Sequence, residues 1–121
     1  MNRDISDQFL FTSKQNYLDC ITPANPSSRL EEGYRKIVKI AEEYFKNNEY
    51  KEFAEFFQEG QYFIPLWTAH MIVEYGNPSN KIMKSAISVI LEYADSPFAT
   101  EVAKEEKQWL KDYGAKYNIN M

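Results

Sequence analysis

One histidine and one cysteine are the side chains in this 121-residue chain best suited to acid–base or nucleophilic chemistry near neutral pH. His70 is the one residue whose ordinary pKa lies near neutrality, and Cys20 is the one thiol. His70 stands in the run Leu66-Trp67-Thr68-Ala69-His70-Met71-Ile72, among apolar neighbours and with no serine or cysteine nucleophile at a recognisable spacing. It is therefore expected to be a satisfied structural or surface histidine. A lone cysteine cannot form an internal disulfide, and one cysteine with one histidine cannot build a Cys/His zinc site, so neither metal nor cofactor is expected. The four glycines form no phosphate-binding loop, and no acidic run has the calcium-loop spacing. Glu31-Glu32, Glu42-Glu43 and Glu105-Glu106 are neighbours in sequence. On a helix, adjacent side chains point about 100° apart, which suits solvated faces better than a shared proton. Glu106 falls between Trp109 and Leu110 on the apolar side of the last helical segment, where a carboxylate needs a partner; water at an open end of the fold would supply one. No catalytic group emerges, and the chain is expected not to be an enzyme.

Charge is more informative. Between Glu42 and Glu74 lie seven carboxylates (Glu42, Glu43, Glu49, Glu52, Glu55, Glu59, Glu74) against Lys46 and Lys51, in a chain whose net charge is -4. Glu52, Glu55 and Glu59 fall within about 60° of one another on a helix, opposite Phe53 and Phe57, so they form one solvent-facing stripe. Clustered negative potential repels nucleic acid and attracts basic proteins. Glu49, Glu52, Glu55, Glu59 and Glu74, with the aromatic residues Tyr62, Trp67 and Tyr75 nearby, are the expected partner-binding set.

Six helices must position these groups. Ile5, Phe9, Leu10, Tyr17, Leu18 and Ile21 suggest a first helix, stopped by Pro23 and Pro26. Ser27 or Ser28 is the expected cap of a second, in which Leu30, Tyr34, Ile37, Val38, Ala41 and Phe45 share one face. Tyr50, Phe53, Phe56 and Phe57 mark a short third helix closed by Gly60, and Pro65 opens a fourth, from Phe63 to about Tyr75, that ends at Gly76-Asn77-Pro78. The fifth, from about Ser79 to Ala94, has only a narrow polar strip of Lys81, Lys84, Ser85, Ser88 and Glu92, and is expected to be central. Ser96-Pro97 should start the sixth, with Phe98, Val102, Trp109 and Tyr113 facing inward and its end near Gly114. The expected core joins Ile37, Val38, Phe53, Ile82, Ala86, Val89, Ile90 and Trp109. Strand-like alternation is absent. Forty-four per cent hydrophobic and 26% charged residues indicate an ordinary soluble domain over 1–121. No apolar stretch approaches the roughly 18 residues of a membrane span, and Met1-Asn2-Arg3-Asp4-Ile5 does not begin a signal peptide, so a cytoplasmic protein is expected.

Leu66-Trp67-Thr68-Ala69-His70-Met71-Ile72, the Gly76-Asn77-Pro78 turn and Ala86-Ile87-Ser88-Val89-Ile90-Leu91 together resemble a HEAT-like repeat, with small alanines where paired helices approach. Val102-Ala103 would begin a further unit. The run from Glu31 to Tyr113 is similar to small bacterial HEAT-like proteins and to immunity proteins of polymorphic toxin and contact-dependent inhibition systems. The resemblance implies a single all-α, right-handed HEAT-like array. It also implies an inhibitor that occludes the active site or substrate path of a cognate basic toxin domain, a nuclease being one such toxin; the acidic charge and the lack of a long apolar stretch make nucleic acid and membrane unexpected partners. The alternative it leaves open is a HEAT-like adaptor or regulatory subunit in a larger complex.

Overall fold

Apolar residues three and four apart dictate helices, and the described residues form six α-helices: α1 (Arg3–Leu18), α2 (Glu32–Lys46), α3 (Tyr50–Ala54), α4 (Ile64–Tyr75), α5 (Asn80–Ala94) and α6 (Thr100–Tyr113). The computed structural model describes residues 3–119, and among them there is no strand. Residues 1, 2, 120 and 121 of the expected 1–121 domain, the first two of which also belong to the N-terminal pattern, lie outside the described residues.

Two boundaries differ from the sequence reading because a polar side chain serves a loop instead of a helix. Asn25 accepts a hydrogen bond from the Ser27 N–H at 2.9 Å, and the Ser28 hydroxyl accepts from the Thr22 N–H at 3.1 Å. Pro26–Leu30 thus becomes a separate 3-10 turn, α2 starts at Glu32, and Leu30 is exposed, not inward. Ser96 likewise accepts from the Phe98 N–H, bending the chain so that α6 starts at Thr100 and leaves Phe98 94% exposed where an inward position was expected. Tyr113, the other expected inward residue at the end of α6, is also exposed. The third helix is five residues long and tightens into a 3-10 turn over Glu55–Gln58.

The central helix is α4, not α5. Nine of the twelve α4 residues are buried, whereas α5 buries Ala86, Ile90 and Ala94 alone. From Ile64 to Val73 the only ionisable side chain is His70, so α4 is apolar on every side, while the lysines and serines of α5 keep one of its faces in water. Helix α4 packs against α1, α2, α5 and the Glu55–Gln58 turn, and α5 packs on α6. Of the expected core, Ile37, Phe53, Ala86, Ile90 and Trp109 are buried together, and Val38, Ile82 and Val89 pack on that core partly exposed. Close helix approach explains two glycines. A Cβ at Gly33 would overlap the Asn16 side chain of α1, which donates to the Gly33 carbonyl, and one at Gly76 would meet the Ile72 carbonyl at 2.9 Å and the Tyr50 ring at 3.1 Å.

Candidate protein interface and a buried ionic chain

The 3-10 tightening after Ala54 keeps Glu52, Glu55 and Glu59 together. All three are exposed and rim one groove of about 430 Å³, whose other walls are Ser6 and Leu10 of α1, Tyr44 of α2 and Phe56. Beneath it, Phe9, Tyr44, Phe53 and Phe56 form a ring cluster with centroids 4.5 to 6.1 Å apart. Aromatic packing of this kind makes a rigid floor. Burial, and then the negative field of Glu49, Glu55 and Glu52, push the Tyr44 phenol pKa up, against the opposing hydrogen bond from Ser6. The groove therefore offers three carboxylates at its edge above buried Tyr44 and Phe56, a negatively charged surface that suits a basic protein.

The remaining residues of the expected binding set are dispersed. Glu49 precedes α3 and accepts the Phe53 N–H on its carbonyl. Tyr62 lies in the turn before α4, against Tyr17. Tyr75 is 40% exposed, but its hydroxyl shares a 2.9 Å hydrogen bond with that of buried Tyr34. Trp67 is wholly buried in α4, so it belongs to the core and not to a contact surface. Glu74 is also turned inward, with 7% of its side chain exposed.

Glu74 belongs instead to a chain of ionised groups that runs through the protein. Arg29, from the Pro26–Leu30 turn, donates two hydrogen bonds to the Glu74 carboxylate at 2.7 and 2.8 Å. The His70 Nδ1 lies 2.8 Å from the same carboxylate, one helical turn away on α4, and its Nε2 lies 2.7 Å from Oε1 of Glu106 on α6. Burial alone would push the His70 pKa down, but Glu106, with Glu74 in support, pushes it up to about 9. The imidazole is thus protonated at neutral pH and donates from both nitrogens. Glu74 is held below the usual carboxylate range, its burial being outweighed by His70 and Arg29. The edge of Trp109 closes over His70 with a centroid separation of 4.6 Å. His70 is completely buried, and both nitrogens are engaged by carboxylates, so this geometry locks helices together and leaves the imidazole no free position for a substrate.

The expectation of a satisfied histidine agrees with this arrangement, whereas a watered, open-ended Glu106 does not: Glu106 is 0% exposed. Its neighbour Glu105 faces the other way, accepting from the Thr22 hydroxyl at 2.6 Å and the Asn25 amide at 3.0 Å. Sequence reasoning missed Arg29, Thr22 and Asn25, whose partners lie 45, 83 and 80 residues away. The four-residue spacing of His70 and Glu74 was the one local signal available. Among the described residues no group of three or more His, Cys, Asp or Glu could hold a metal ion, and no helix is long and apolar enough to cross a membrane. Comparison with protein families, with curated proteins and with solved structures gave no match.

Proposed function

We propose that this protein is a cytoplasmic, non-enzymatic inhibitor of the immunity type that binds a basic bacterial toxin domain and occludes its active site or substrate path. The observation that carries the reading is the groove at which Glu52, Glu55 and Glu59 stand over Leu10, Tyr44 and Phe56. Its carboxylates would take the place of the phosphates or other anions a basic toxin binds, with partly exposed Leu10 beside them for apolar contact. The consecutive packing of α4, α5 and α6 is what supports reading the chain as a HEAT-like helical array, with the groove on the side formed by α1, α2, α3 and the Glu55–Gln58 turn.

Cross-linking in the producing cell, followed by mass spectrometry, would identify the partner for kinetic work. Association should be fast at low salt and slow as the field is screened. Glu52→Lys with Glu55→Lys should reduce the association rate by about 10-fold or more at low salt and flatten its salt dependence. Glu101→Lys with Asp112→Lys, on exposed positions of α6, is the matched control. Glu105 is unsuitable for it because that carboxylate is engaged by Thr22 and Asn25. An equal or larger effect of the control pair would overturn the reading.

A further inference from the structure

Tyr17 of α1, Tyr62 and Phe63 of the turn before α4, and Tyr93 of α5 enclose a second depression, of about 380 Å³, with Gly60 and Gln61 on its margin. Their rings meet at 5.5 Å (Tyr17 and Tyr62), 5.3 Å (Tyr17 and Phe63) and 6.1 Å (Phe63 and Tyr93), mostly edge to face. We propose that this depression receives an arginine side chain of the basic partner. The proposal rests on the basic-partner reading above and names a recognition element for it.

Backbone conformation is the first support. Tyr62 and Phe63 have φ of 54° and 57°, two successive left-handed positions occupied by aromatic residues. Each such position costs a bulky residue about 1–3 kcal/mol and persists only where the surroundings impose it. A turn selected for folding alone would place glycine there, yet Gly60, two residues earlier, does not have a positive φ. Both rings pack on the core and on Tyr17 or Tyr93 and yet stay partly exposed, so the strained turn holds aromatic surface at the solvent boundary. The second support is a cation beside one of these rings: the Lys14 ammonium lies 5.9 Å from the centroid of Tyr62. That ring face accepts positive charge, and Lys14, on an exposed position of α1, is free to yield it to a guest. Third, the depression borders the acidic groove in sequence, since Glu59 of the groove rim precedes Gly60. Three phenol oxygens distinguish the guest. A planar guanidinium stacks on aromatic rings and carries five N–H donors, whereas an ammonium is a compact, strongly hydrated charge.

Titration of the intact protein with acetyl-Gly-Arg-Gly-amide and with its lysine counterpart, followed by NMR of the aromatic side chains, tests the assignment. The arginine peptide should shift the resonances of Tyr17, Tyr62, Phe63 and Tyr93 and bind several-fold more tightly than the lysine peptide. Tyr62→Gly relieves the left-handed strain, so it should keep or raise the Tm while weakening arginine binding about 2- to 30-fold. Tyr17→Leu, which keeps apolar bulk, should weaken it in the same direction. Glu52→Lys with Glu55→Lys should weaken both peptides equally. Unmoved ring resonances, equal affinity for the two peptides, or undiminished binding by Tyr62→Gly would each overturn the pocket. Ring-dependent arginine binding that ignores the charge reversal would uphold the pocket and count against the acidic groove.

Discussion

His70 is under two opposed demands. Dry surroundings favour the neutral imidazole, and two carboxylates favour the cation; the carboxylates prevail, holding the pKa at about 9. Stability drawn from a raised pKa is fully present below the unfolded value near 6.5 and is lost as pH rises through about 9. The lowered pKa of Glu74 works on the acid side, contributing above its ordinary 4.5 and failing as pH falls through the depressed value. Urea denaturation should therefore show a fall in stability between about pH 6.5 and 9 in the wild type that is much smaller in His70→Gln. The same substitution leaves Glu106 buried without its cation, and should cost about 3–5 kcal/mol at pH 7, a large share of a total of about 5–15 kcal/mol. Glu106→Gln should lower the His70 pKa, read directly by NMR titration, while Glu52→Gln leaves it unchanged.

At the scale of the elements, the seam between α1 and α2 is tight and the entrance to α6 is loose. Gly33 lies against Asn16, which is buried and tied to the Gly33 carbonyl, with the Ile21 side chain also within 3.2 Å of an added Cβ. Gly33→Ala should consequently overpack the seam and destabilise by about 1–3 kcal/mol in chemical denaturation. Phe98 presents the opposite case. Helical spacing makes it look like a core anchor, but the Ser96 turn leaves it in solvent, so Phe98→Ser should change stability by no more than about 0.5 kcal/mol.

In the molecule as a whole, side-chain bonds between distant parts of the sequence cross-link helices that otherwise pack mainly on their neighbours. Thr22 and Asn25 bind Glu105, Arg29 binds Glu74, and His70 binds Glu106, so α6 is bonded both to α4 and to the loop before α2. In a linear repeat array each unit contacts only its neighbours, and a terminal unit can melt alone. Here the loss of α6 would strand His70 and uncover the site closed by Trp109. Helix content by circular dichroism and the fluorescence of Trp67 and Trp109 should therefore change in one coincident transition. Separate transitions for the two tryptophans, tested as single-tryptophan variants, would show that α6 melts independently.

Local periodicity was sufficient to determine six helices in their order, core positions such as Ile37, Phe53, Ala86, Ile90 and Trp109, and the coherence of the Glu52, Glu55 and Glu59 stripe, because each depends on spacings of three and four residues. Glu106 could also be recognised as a carboxylate in need of a partner. Tertiary structure alone decided what that partner is, since the angle of a side chain on its own helix does not specify which helix comes to face it. The same limit explains Glu74 and Trp67, which spacing could not separate from surface residues, and the central place of α4. Loop hydrogen bonds took Ser28 and Ser96 away from helix capping. The left-handed Tyr62 and Phe63 carry no glycine to announce them; packing against Tyr17 and Tyr93 imposes a backbone that local preference opposes.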